Sequence, residues 1–151
     1  MIIEIIKTIF ARDLDRLYNE ISLYQKEANI WKTENQIANS AGNLCLHLIG
    51  NLNTYIGKEI GGYHYIRNRE AEFSLKNVSK RELLEEVKKT SQTVIASLNN
   101  LQQSDLEKQY PILVFDKKTS TGYLLIHLTT HLTYHLGQIN YHRRLIDTQY
   151  T

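Results

Sequence analysis

Apolar residues recur at helical spacing along most of this chain. Ile2, Ile5, Ile6, Ile9, Leu14, Leu17, Ile21 and Tyr24 form one such series and predict a first helix over residues 2–27. Asp13, Asp15, Arg16, Glu20 and Lys26 are assigned to its wet face. A connector over 29–39 follows, in which Trp31 is expected to plug the core beneath the loop. The second helix starts at Asn39 or Ser40, either of which can cap it, because a short polar side chain there accepts from the free N–H groups of the first turn. It runs to Gly57, read as the glycine just past its end.

Residues 58–78 form a long connection, a length that in a compact protein is often functional. The third helix has a sharp start. Ser79 and Glu82 have the spacing of a capping box, and Val78 can staple onto Leu83. Its buried stripe is Leu83, Val87, Val94, Leu98 and Leu101. A second connection spans 102–118, with a short extended segment over 110–115. The last helix covers 120–146 and contains no Asp or Glu. Four long helices without a strand series predict an all-α four-helix bundle with long connections after helices 2 and 3, built as one domain over 1–151.

Composition supports this and excludes several function classes. Hydrophobic residues are 42% and charged residues 23% of the 151, an ordinary globular balance. One Pro leaves long helices uninterrupted. The net charge of +2, with no basic stripe, gives no footing for nucleic acid. The single cysteine, Cys45, cannot form an internal disulfide, which fits a reducing compartment. Residues 1–10 lack the layout of a signal peptide, and no apolar run reaches membrane-spanning length, so the expected location is the cytoplasm, with no membrane partner. There is no P-loop, dinucleotide fingerprint or nucleophile elbow, and no Glu-x-x-His pattern of a di-iron bundle.

The histidines carry the candidate chemistry. Four of the six lie on the last helix: His127, His131, His135 and His142. A step of four residues turns a helix by only about 40° and rises about 6 Å. The first three therefore share one strip. Neighbours can reach one metal ion, as in H-x-x-x-H sites. His127 and His135 stand about 12 Å apart, too far to share an ion with His131 between them. The pair is thus His127/His131 or His131/His135. A zinc-like site needs a further ligand, and His47 is the candidate, because it sits in an otherwise apolar stretch of helix 2 where an unpaired imidazole is costly. Asn43 and Asn51, one turn either side, can supply supporting hydrogen bonds or touch a ligand. A lone His on an apolar face is ordinarily a hydrogen-bonded core residue; three on one acid-free strip, with a fourth on another core helix, favour a ligand set. His64 and His142 are assigned to the surface or rim, and Cys45 to the core.

The segment His131-Leu-Thr-Tyr-His135-Leu-Gly137-Gln138-Ile139 resembles the terminal-helix motif of the DinB-like (YfiT-like) metal-binding bundle family, His-x-x-x-His-x-Gly-Gln followed by an aliphatic residue. The resemblance extends to 40–57, where that family places its first metal His in an apolar helix, and to the order of helices. It implies His47, His131 and His135 as ligands, with His127 beside them as a supporting or packing residue. Leu136 stands where many members carry Arg, so an anion-binding role is not carried over to it. The resemblance further implies a divalent ion, zinc or nickel, and often a homodimer.

Two functions follow as expectations. One is a metal-dependent transferase that activates a low-molecular-weight thiol, with Asn51, Tyr134, Arg67 and Arg69 meeting the cosubstrate. The other is a non-catalytic metal- or ligand-binding protein of a stress response.

Overall fold

The computed structural model describes residues 1–148; residues 149–151 of the expected domain lie outside the described residues. The helices are α1 (Ile2–Ser22), α2 (Ala41–Leu52), α3 (Arg69–Ser74), α4 (Lys80–Asn99) and α5 (Thr121–Ile146). Short 3-10 turns occupy Glu27–Trp31 and Gln103–Glu107. The four long helices are α1, α2, α4 and α5. Both α1 and α2 pack against α4 and α5, so α1 and α2 stand at opposite corners of the bundle. Among the described residues the β-structure is one isolated bridge, Gln109 to Ser120, which closes the second connection under the start of α5.

The helix starts follow the capping chemistry. Ser40 accepts from Asn43 N–H, Ser120 from Tyr123 N–H, and Ser79 and Glu82 form a reciprocal capping box. The buried stripe of α4 is Leu83, Val87, Thr90, Val94, Ser97 and Leu98, with Leu101 half-buried beyond its end. Trp31 is buried and donates its indole N–H to Val78 O, 3.2 Å away.

Several boundaries and faces differ from the sequence reading. The first helix ends at Ser22 rather than 27, and the chain turns into the 3-10 segment that delivers Ile30 and Trp31 to the core. Its buried face is Ile3, Ile6, Phe10, Leu14, Leu17 and Ile21, while Ile2 and Ile5 are exposed; the run of isoleucines offers two registers, and packing chooses one. Asp13 is fully buried, not on the wet face. Arg12 and Arg16 reach over it from α1, and the Thr133 hydroxyl donates to it from α5 at 2.8 Å.

Gly57 does not end the second helix. Beyond Leu52 the chain continues as a π-helical turn, Asn53–Lys58, and the left-handed residue is Gly62, with φ of 71°. The long connection is not structureless: it contains α3, capped by the Asn68 side chain, which accepts from Ala71 N–H. His142 is 4% exposed rather than on the rim. Its Nε2–H donates to Lys32 O at 2.8 Å, and its Nδ1 accepts from the Tyr24 hydroxyl at 2.6 Å. It thereby ties the end of α5 to the connector after α1.

Candidate metal centre

Helix α2 is buried on nearly every side; Leu46 alone of its residues is half-exposed. His47 faces α5 from the middle of it. On α5, His131 and His135 are one turn apart and face back. The His47 Nε2 and His131 Nε2 atoms are 3.2 Å apart, and one ligand atom from each of His47, His131 and His135 lies within 4.8 Å of the others. The three rings meet nearly edge to face: His131 and His135 have centroids 4.6 Å apart, and His47 and His135 5.3 Å apart.

The protonation pattern suits a ligand set. His47 Nδ1 is 3.0 Å from Glu72 Oε1. A carboxylate only accepts, so Nδ1 carries the proton and Nε2 presents its lone pair. His135 Nδ1 is 2.7 Å from Gln138 Oε1, which likewise frees its Nε2. His131 Nδ1 is buried without a hydrogen-bond partner. Two nitrogens bound to one tetrahedral zinc-like ion at about 2.05 Å stand roughly 3.3 Å apart, the spacing that His47 and His131 already have. Burial lowers the pKa of His47 against the upward pull of Glu72. Burial, then the neighbouring His135 and His47, push His131 down to about 4. Near neutral pH both rings are therefore uncharged, the form that binds a cation.

The supporting residues fall into place unevenly. His127 lies one turn before His131, ring roughly parallel at 6.3 Å, with its other side against Phe115 at 4.8 Å. Asn43 does not touch the histidines. It donates to Glu72 O and Leu75 O, both at 2.9 Å, and so pins α3 to α2. Asn51 is buried with its Oδ1 unpartnered. Tyr134 is 65% exposed, with its ring 5.3 Å from that of His135. Arg69 is exposed on α3. Arg67 is committed within the chain: its Nε and Nη2 donate to the two oxygens of Glu72 at 2.8 and 2.9 Å. Cys45 is fully buried, its thiol pushed up to about 12 by burial.

Sequence reasoning missed Glu72 and Phe73, whose ring packs 5.1 Å from that of His47. Both lie in the segment read as a loop. The available signal is Asn68 followed by Arg-Glu-Ala-Glu-Phe, a cap with acidic residues in the first turn.

A cleft of about 560 Å³ adjoins the cluster at His135. Its walls include Ile37, Leu44, Tyr134, His135, Gln138 and Tyr141, and among the described residues no charged side chain lines it. Of the residues expected to meet a cosubstrate, Tyr134 is in its walls; Asn51, Arg67 and Arg69 are not.

Residues 5–150 match the family DUF1572, described as a protein of unknown function. The chain belongs to that family. Its fold is DinB-like: a crystal structure of a DinB-like protein from Bacillus cereus superposes with a TM-score of 0.69, covering 91% of both chains at 12% sequence identity. At that identity the likeness shows the fold alone. No curated protein matches this chain. The DUF1572 chain is thus a DinB-like helical bundle with a three-His cluster that could hold a metal ion. Among the described residues, no helix is long and apolar enough to cross a membrane.

Proposed function

We propose that this protein binds a divalent ion, zinc or nickel, through His47, His131 and His135, and uses it to activate a low-molecular-weight thiol for transfer to an electrophile. The observation that carries the reading is the convergence of three imidazole nitrogens from two helices within 4.8 Å, two of them with their other nitrogen already donating. Three neutral ligands leave a dication's charge uncompensated and favour an anionic fourth ligand. A bound ion would lower the pKa of a thiol at that place, as it does for water. The chain's own contribution is orientation. Glu72 and Gln138 fix which nitrogens face the cluster, and Tyr134 walls the cleft beside His135.

The test loads tag-free protein with zinc or nickel, measures bound metal by elemental analysis, and offers bacillithiol, glutathione or cysteine with an electrophile. Metal-dependent conjugation supports the reading; stoichiometric metal without conjugation to any thiol removes the transferase half. His131→Ala is expected to abolish metal binding while the bundle stays folded by circular dichroism. If His131→Ala binds as the parent does, the ligand assignment is wrong.

One observation favours a non-catalytic metal- or ligand-binding role. The carboxylate at the cluster, Glu72, is held by Arg67 and His47 and is not free to move a proton. Conjugation activity decides between the two. A homodimer belongs to the same proposal. Its support is the exposed stripe Tyr123, Ile126, Tyr134, Tyr141 and Leu145 along α5, and light scattering should read twice the chain mass.

A further inference from the structure

Glu72 is a carboxylate that is 6% exposed, contributed by a six-residue helix in the connection between α2 and α4. Burying such a group is costly unless it is paired and hydrogen-bonded. Arg67 supplies the pairing through both oxygens, at 2.8 and 2.9 Å, and its guanidinium lies 5.8 Å from the Tyr55 ring centroid. That ion pair would be complete by itself. Yet Oε1 also accepts from His47 Nδ1 at 3.0 Å, and Arg67 Nη2 stands 3.4 Å from the same nitrogen, so two donors converge on one carboxylate oxygen.

Around this contact the chain is shaped to admit the carboxylate. Gly50, in the last turn of α2 before the chain runs on as the π turn, lies against it: a Cβ there would overlap Glu72 Oε2. Glycine is otherwise a poor choice inside a helix. Asn43 holds the Glu72 and Leu75 carbonyls, and Lys76 donates to Asn43 Oδ1 at 2.6 Å. Asn68 caps the other end of α3. The carboxylate is thus fixed at both ends of its helix and through its own oxygens, with its one contact outside the clamp aimed at a candidate ligand.

We infer that Glu72 is the positioning residue of the metal centre: held by Arg67, it fixes the proton of His47 on Nδ1 and turns the Nε2 lone pair toward His131 and His135. The inference rests on the metal reading above. A carboxylate or carbonyl behind a ligand histidine locks its tautomer and ring orientation and raises its basicity, and losing that partner typically weakens metal binding 10–100-fold. The connection between α2 and α4 then has a function: it carries the clamp.

The test compares the parent with Glu72→Gln, which keeps the shape and loses the charge, and with the double variant Arg67→Met/Glu72→Met, which removes the ion pair without stranding either partner. Zinc affinity is measured by chelator competition, thermal stability on the metal-free proteins, and the His47 tautomer by long-range proton–nitrogen NMR without metal. Expected are a dominant Nδ1–H tautomer in the parent, its loss in the double variant, and a 10–100-fold weaker zinc affinity in both variants, at a metal-free Tm within a few degrees of the parent in the double variant and lower in Glu72→Gln, which strands Arg67. The inference is overturned if both variants bind zinc as the parent does, or if the His47 tautomer is unchanged in the double variant. A parent that binds neither zinc nor nickel overturns the metal reading itself, and that result is distinct because it appears before any substitution is made.

Discussion

Asp13 is the residue at which the cost of a buried charge is most plainly offset. It is fully buried, and burial alone would raise its pKa; hydrogen bonds from Arg12 and Thr133, with Arg16 nearby, bring it below the usual carboxylate range. Its Oδ2 holds the Thr133 hydroxyl, between His131 and His135 in the sequence, so it fixes the rotation of α5 from the side opposite the cluster. Asp13→Ala removes this tie between α1 and α5 and leaves the Thr133 hydroxyl donating to Thr129 O, 3.0 Å away. The expected destabilisation is about 1.5–3 kcal/mol by urea denaturation, the scale for a hydrogen bond to a charged group. A change within about 0.5 kcal/mol, the range of ordinary surface substitutions, would show that the contact is idle.

Among the elements, α3 depends on α2 having no side chain at Gly50. In an isolated helix Ala is better than Gly by about 1 kcal/mol. Here the added Cβ would overlap Glu72 Oε2, with the Arg67 guanidinium just behind it. Gly50→Ala is therefore expected to destabilise by about 1–3 kcal/mol, as overpacking does, and to free the connection over 59–78. Limited proteolysis reads the second effect directly: faster cleavage within 59–78 than in the parent, at a temperature where both are folded. Unchanged cleavage with raised stability would mean that α3 is not seated on α2 through this contact.

Across the whole molecule, three imidazoles act together on stability. His47, His131 and His142 all have lowered pKa values with burial as the leading cause, His131 to about 4. The unfolded chain takes up these protons near the ordinary imidazole value of about 6.5, while the folded chain resists them. Metal-free protein should keep its stability above about pH 6.5 and lose it progressively as pH falls through that value towards 4. The lowered carboxylates, Asp13, Glu82, Asp105 and Asp147, add their own loss only below that window, as pH falls through their folded values. Urea midpoints at pH 7.5, 5.5 and 4.5 check this, and a flat profile between 7.5 and 5.5 would contradict it. Saturating metal should raise the whole curve at neutral pH, by roughly 2.7 kcal/mol at 100 times Kd, and a chelator should return it.

The sequence alone determined the four long helices, the Ser79–Glu82 capping box that starts the third, and the face shared by His131 and His135, because helical periodicity, capping and i, i+4 spacing are local and survive any packing. It also named His47, because an imidazole in an apolar helix needs a partner. Only tertiary structure decided which isoleucines of α1 turn inward, that Asp13 and His142 are buried, and that the second helix passes Gly57 as a π turn. Those outcomes depend on what the facing element offers: Thr133 for Asp13, Tyr24 and Lys32 for His142. The centre itself divides the same way. Spacing along α5 left the His131 partner open between His127 and His135, and the approach of α2 brings His47 to His135 and leaves His127 against Phe115. The local pattern at Asn68 signals the helix that carries Glu72 but not what Glu72 does, since its partner is 25 residues away and its place is made by a glycine on another helix.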